Sequence, residues 1–288
     1  MASMRDIKRR RSSIQSTGQI TKAMKLVSTV KLQKARGRAE EAKPYFRYLY
    51  QTIASMFAKS TAEVRQHYTV AKPGAKKAVI VITSNRGLAG GYNSNIVKTV
   101  IGSGLPREDV WIYAIGKKGR DALARRGYEI KADYSEVMND PLYQDASDIS
   151  GAVMEEFENG NVSEIYVVFT VFKNTVSHIP TMLRLLPTDE VGEAEEGEAG
   201  GQALMNYEPD PEEALRRIMP KYLAGELYGA LIEALASENG ARMQAMDNAT
   251  SNADEMISKL SLQYNRARQS SITQELTEII AGANALEE

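Results

Sequence analysis

Two segments with helical periodicity, one at each end of a 288-residue chain, constrain its fold more than any other feature. In the first, Ile7, Ile14, Ile20, Met24 and Val27 recur at spacings compatible with 3, 4 and 7, and Gly18 is the only breaker before Gly37. Pro44 predicts a kink or a junction, after which Tyr45, Leu49, Ile53, Met56 and Phe57 resume the period. A continuous helix of roughly 55 residues extends about 80 Å at 1.5 Å per residue, far more than a compact domain of this size needs. The second segment starts after Asp210, a possible cap, with Pro211, Glu212 and Glu213 suited to a first turn. Pro220 interrupts or restarts it, and beyond that only Gly225, Gly229, Gly240 and Gly282 break the pattern. Ala241, Ala245, Ala249 and Ala253 recur every four residues, a small-residue stripe that admits another helix closely. Ile272, Leu276, Ile279, Ala283 and Leu286 keep the 4-3-4-3 spacing of a left-handed coiled-coil seam. The two ends are therefore expected to pair antiparallel, with an apolar seam inside and a mixed polar and small-residue exterior.

Between them the chain changes character. Strand-like runs over 77–83, 109–116 and 163–172 alternate with helical stretches near 93–102, 117–126 and 145–159. That alternation predicts an α/β domain with a mainly parallel sheet. Two further runs, 180–187 and 202–209, flank a stretch with six acids and several glycines, so a mobile acidic loop over 189–201 should close a hairpin. The expected domains are 1–59, a helix of the coil; 60–209, the α/β domain; and 210–288, the second helix.

Composition removes several function classes. The chain has no cysteine, which excludes disulfides, thiolate metal sites and thiol catalysis. No run approaches the roughly 18 to 20 apolar residues of a membrane span, so any attachment to a membrane should go through a partner. The basic start carries no small-residue cleavage site and reads as mature protein. The net charge of −1 conceals an asymmetry. Residues 1–59 hold fourteen Lys or Arg against three acids, a balance of +11, whereas residues 211–288 hold seven against twelve, a balance of −5.

The turn "TSNRGLAGGYNSN" (83–95) follows an apolar strand and precedes a helix, the arrangement that offers backbone N–H groups to an anion. It matches neither G-x-x-x-x-G-K-[ST] nor G-x-G-x-x-G, and no lysine follows for a terminal phosphate, so it reads as connective. His67 and His178 lack ligand spacing, Trp111 lies in an apolar strand, and no G-x-S-x-G, H-E-x-x-H or EF-hand loop occurs. Asn161-Val-Ser and Asn248-Ala-Thr match a glycosylation pattern in a chain with nothing secretory about it. By contrast, "TKAMKLVSTVKLQKA" (21–35) sets Met24, Val27 and Leu32 among Lys22, Lys25, Lys31 and Lys34. Such a helix can bury its apolar side against a partner helix while its cations face acidic surfaces of other subunits.

The start "MASMRDIKRRRSSIQSTGQITKAMKLVSTVKLQKA", the stretch "ASENGARMQAMDNATSNADEMI" and the end "LQYNRARQSSITQELTEIIAGANAL" closely resemble the gamma subunits of bacterial F-type ATP synthases, as does "TSNRGLAGGYN". The likeness runs in order over almost the whole chain. It implies a non-catalytic rotor shaft of a proton-translocating enzyme, coupling rotation of a membrane c ring to conformational change in a hexamer of alpha and beta subunits. It also implies contact with an epsilon subunit, no cofactor, no nucleic acid, no direct insertion in the membrane, and a peripheral place on the cytoplasmic face of a bacterial cell membrane. The central domain of that family is Rossmann-like and binds no nucleotide. Residue by residue, the resemblance carries over Met24, Lys25 and Val27 to the beta-subunit levers. Arg268 and Gln269 go to a beta-subunit loop with Arg242 as their neighbouring position, and Tyr207 with Glu208 goes to the seat on the ring. The acidic loop lies where the chloroplast form carries regulatory cysteines, so thiol control is not expected here.

Two other readings compete. A nucleotide-binding α/β enzyme with helical arms would use the 83–95 turn. A basic coiled-coil nucleic-acid binder would use the +11 segment, although no aromatic residue stands among the cations before Tyr45 to stack bases.

Overall fold

The computed structural model describes residues 4–70, 75–175, 177–188 and 210–287. Helix α1 (Met4–Lys59) opens the chain and α6 (Pro211–Glu287) closes it; between them come α2 (Ala62–Thr69), β1 (Lys76–Ile82), α3 (Tyr92–Ile101), β2 (Val110–Ile115), α4 (Lys117–Ala124), β3 (Glu129–Asp133), α5 (Tyr143–Glu158), β4 (Val162–Phe172) and β5 (His178–Leu186). Both α1 and α6 continue through their internal prolines. An interior proline costs about 3 kcal/mol, so packing must outweigh it. Met219, Tyr222 and Leu223 around Pro220 are buried, and Phe46 beyond Pro44 lies against Gly225.

Packing divides the chain into two compact units that do not follow the boundaries expected from secondary structure: Met1–Ser28 with Met243–Glu288, and Thr29–Arg242. The reason is that the inner portions of both long helices serve the sheet. Ile53 and Met56 of α1 and Leu215, Met219, Leu227, Leu231 and Ala234 of α6 share one core with the sheet and α5.

In the sheet-bearing unit the strand order is β3-β2-β1-β4-β5. β1 pairs parallel with β2 and β4, β2 parallel with β3, and β4 antiparallel with β5. The mainly parallel sheet is thus as expected, and β5 covers the first of the two hairpin runs; the second run, 202–209, and the loop 189–201 lie outside the described residues. β1 reads "KKAVIVI", and its last five residues are buried because both faces are covered. Val79 and Val81 meet α3 and α4 residues Ile96, Val100 and Leu123, while Ala78, Ile80 and Ile82 face α5 and the long helices.

The other unit is an antiparallel helix pair whose interior differs from the one expected. Ile7, Thr21 and Ser28 are buried and Ile14 half-buried, a strict seven-residue repeat, with Gly18 buried between them. On α6, Met246, Ala253 and Leu260 repeat by seven in the same way, with Thr250 and Ile257 half-buried in between. The expected members Ile20 and Val27 instead stand 60% and 57% exposed, with Leu26 beside them. The register is antiparallel: Lys25 Nζ meets Asp247 Oδ1 at 2.6 Å, Thr21 and Thr250 share a 2.7 Å hydroxyl hydrogen bond, a Cβ on Gly18 would lie 3.4 Å from that of Ala253, and Arg11 sits over Tyr264. Small residues and paired hydroxyls make up the middle of the seam, so the backbones approach closely and the bulky β-branched side chains are displaced outward. Ile272, Leu276 and Ile279, expected in a seam, are exposed, because in this register Met4, the first described residue of α1, stands level with the turn Ala267–Ser271. The side chains of Ala283 and Leu286 lie outside the described residues.

Close approach at Gly18 can be tested by size. Gly18→Ala should raise stability by about 0.5–1 kcal/mol through helix propensity, since the new methyl meets Ala253 at ordinary contact. Gly18→Leu should lower it by about 1–3 kcal/mol. Denaturant unfolding of both variants checks the order, and equal stabilities would contradict the packing described.

Candidate functional site

The turn from β1 into α3 is closed by hydrogen bonds between Ser84 and Asn93. The Ser84 backbone N–H donates to Asn93 Oδ1 at 2.9 Å, Asn93 Nδ2 donates to Ser84 Oγ at 2.7 Å, and the Ser84 hydroxyl donates to the Arg86 carbonyl at 2.5 Å. Leu88 and Gly90 take left-handed φ values of 62° and 55°, so the glycines serve the bend. The neighbouring turn after β2 is locked to this one. Thr83 Oγ1 accepts from Gly119 N–H at 2.8 Å and donates to the Gly116 carbonyl at 3.1 Å. Gly116 has φ 110°, and a Cβ there would lie 2.0 Å from the Thr83 carbonyl oxygen.

In an open parallel sheet of this order a ligand enters above the carboxyl ends of the strands where the connections diverge, here between β1 and β4. That place is occupied by the chain's own α6. Ser237 Oγ donates to the Thr170 carbonyl of β4 at 2.9 Å, Tyr92 Oη donates to the Ala234 carbonyl at 3.2 Å, and Arg242 Nη2 reaches the Gly87 carbonyl at 3.4 Å. Arg242 also pairs with Glu238 at 2.7 Å, the two side chains only 12% and 10% exposed. Burial pushes the Glu238 carboxyl above its ordinary range, against the pull of Arg242, and pushes the Tyr92 phenol well up.

The remaining candidate groups are bound into the structure. His67 Nε2 lies 3.1 Å from Glu158 Oε2, with its ring edge-on to Tyr68 and Phe157. His178 packs on Phe172, and burial holds its imidazole below the usual range. Trp111 is half-buried, and Lys131 Nζ lies 3.9 Å from its ring centre. Among the described residues no group of three or more His, Asp or Glu could hold a metal ion.

The surface that stands open is the outside of the helix pair. On α1, Ile20, Leu26 and Val27 are exposed around Lys22. Met24 and Lys25 are half-buried, and Lys25 is held by Asp247. Arg268 and Gln269 are exposed on α6, and beyond them Ile272, Leu276, Ile279 and Ile280 are also exposed. The register puts Met24, Lys25 and Val27 level with Asp247, whereas Arg268 and Gln269 stand about 30 Å further along α6 at 1.5 Å per residue. The fold therefore separates these two groups along one pair of helices. Arg242 belongs to the sheet-bearing unit, where it pairs with Glu238 and reaches the Gly87 carbonyl. Tyr207 and Glu208 lie outside the described residues. Sequence reasoning missed Glu238 and Asp247, which carry no motif. It also missed the polar seam, whose signal was available in the exact heptads Ile7-Ile14-Thr21-Ser28 and Met246-Ala253-Leu260.

Comparisons with known proteins agree with this architecture. The family model described as ATP synthase matches residues 3–286. A protein of Lachnoclostridium phytofermentans named ATP synthase gamma chain is 64% identical over 291 residues, covering 99% of this chain and 100% of the relative. One of Acetobacterium woodii, named ATP synthase gamma chain, sodium ion specific, is 40% identical over 298 residues, covering 98% of each. Among solved structures, a chain of the Euglena gracilis mitochondrial ATP synthase is similar with a TM-score of 0.70 at 20% identity, covering 98% of this chain and 94% of that one.

The missing phosphate-loop spacing and the helix held across the strand ends predict that ATP titrated to millimolar concentration leaves hydrogen exchange of Ser84–Asn95 unchanged. Protection of that segment by ATP would favour the nucleotide-binding reading instead.

Proposed function

Because the chain belongs to the ATP synthase gamma family, we propose that it is the central shaft of an F-type ATP synthase and performs no chemistry of its own. The observation that carries this reading is the helix pair: small and hydroxyl-bearing residues fill the middle of its seam, with Ile7, Met246 and Leu260 also buried, while Ile20, Leu26 and Val27 face outward. A pair that buried all its large apolar residues would leave no such outward face. The outward residues suit a surrounding sleeve formed by alpha and beta subunits, against which the pair turns.

Coupling then follows from differential binding. The two helices present unlike surfaces around their axis, so each rotary angle offers a different face to each beta subunit and favours a different conformation of its catalytic site. Met24, Lys25 and Val27 are assigned to the beta-subunit levers, and Arg268 and Gln269 to a beta-subunit loop. Tyr207 and Glu208 are assigned to the c ring, with the epsilon subunit beside them. Arg242 is the exception, since its guanidinium is committed to Glu238 within the chain. The chain would belong to the membrane-bound complex as a peripheral subunit on the cytoplasmic face of a bacterial membrane. No helix among the described residues is long and apolar enough to cross a membrane. The driving ion is not fixed by family membership, because a relative at 40% identity is named sodium ion specific.

Purification with alpha and beta subunits should return a complex of three alpha, three beta and one copy of this chain, and ATP should drive its rotation; failure to assemble would contradict the reading. The exposed cations Lys22, Lys31 and Lys34 flank the outward apolar face, and together they should help set the angles at which the shaft dwells. Changing all three to Gln, with Lys25 left to hold Asp247, should alter dwell times under load; identical dwell-time distributions would remove that role.

A further inference from the structure

Leu223, Leu227 and Leu231 of α6 lie in the apolar core of the sheet-bearing unit. Over residues 234–242 the helix is also held through polar and steric contacts from several directions. Tyr92 on α3 donates to the Ala234 carbonyl, Ser237 donates to Thr170 on β4, and Arg242 reaches Gly87 in the β1–α3 turn while pairing with Glu238. At Gly240 a Cβ would lie 2.9 Å from His178 Cε1 on β5 and 3.2 Å from Phe172 Cε2 at the end of β4. Lys31 on α1 and Arg86 in the turn add positive charge around Glu238.

Apolar side chains permit a helix to roll or slide by small amounts, because their attraction has little direction. Buried hydrogen bonds and a buried ion pair lose their value when geometry shifts, since each group moved off its partner is left desolvated and unpaired. Contacts to α3, β4, β5 and the β1–α3 turn therefore fix the rotational setting of α6 about its own axis. We propose that residues 234–242 are a torque clamp: Tyr92, Ser237, Glu238 and Arg242 hold α6 against the carboxyl edge of the sheet so that twist applied to the sheet enters the helix without slip. The clamp rests on the shaft reading. In it Glu238 and Arg242 are positioning residues that touch no nucleotide and act through the angle of the helix.

The test uses the intact complex with alpha and beta subunits, immobilised through the hexamer. The chain has no cysteine, so Glu108→Cys, between α3 and β2, gives one attachment point for a bead on the sheet-bearing unit. Glu238→Gln keeps the shape and removes the charge; it should raise the angular variance of the bead during the ATP-waiting dwell about twofold, as a softer joint in series requires. Variance equal to wild type in an assembled, rotating complex overturns the clamp, even if the melting temperature of the variant falls, because a merely structural pair would lower stability without softening the joint. Should Glu238→Gln fail to assemble, Tyr92→Phe with Ser237→Ala removes two other bonds at little change in volume and is judged by the same variance. A wild-type complex that does not rotate sinks the shaft reading itself, a result separable from a rotating wild type whose variants are no softer.

Discussion

Everything else in this molecule depends on how closely two helix backbones of one chain can approach. At Gly18 and Ala253 there is no side chain longer than a methyl group on either helix, and the adjacent Thr21 and Thr250 satisfy each other's hydroxyls. Ile7, Met246 and Leu260 are buried in the same seam, whereas Ile20, Leu26 and Val27 point outward, and exposed apolar side chains gathered along one element mark an interaction surface.

α6 belongs to both compact units, and its two portions are built differently. From Leu215 to Ala234 it is a core helix of the α/β unit, apolar where it meets the sheet. From Met246 onward it is one strand of the pair, with a narrow small-residue seam. Between these portions, Ser237, Tyr92 and Arg242 tie α6 across the switch point of a sheet with dinucleotide-binding strand order.

Much of this was legible in the sequence. The two long helices, three of the four parallel strands and their crossover helices follow from period and composition; β3, whose residues alternate between half-buried and exposed, did not stand out as an apolar run. Three other features were not legible, each for a physical reason. Pro44 and Pro220 were expected to break helices, but local propensity was outweighed by burial around Met219 and by the contact of Phe46 with Gly225. The apolar series Ile7, Ile14, Ile20, Met24 and Val27 reads as one inward stripe because hydrophobic periodicity presumes that it faces the partner helix; Ile7 is buried and Ile14 and Met24 half-buried, but Ile20 and Val27 face out. Arg242 was grouped with Arg268 and Gln269 by resemblance, and only the fold puts it opposite Glu238 and Gly87, residues four and 155 positions away in the chain.

The central claim is that the paired helices turn as one body. The cysteine-free chain permits a direct measurement, because Gly18→Cys with Ala253→Cys would place two Cβ atoms about 3.4 Å apart, near the spacing a disulfide needs. ATP-driven rotation of the assembled complex is then compared before and after oxidation. Unchanged rotation with the helices covalently joined is the predicted result, and rotation that stops on oxidation and returns on reduction would show that the helices must move against each other, contradicting the account.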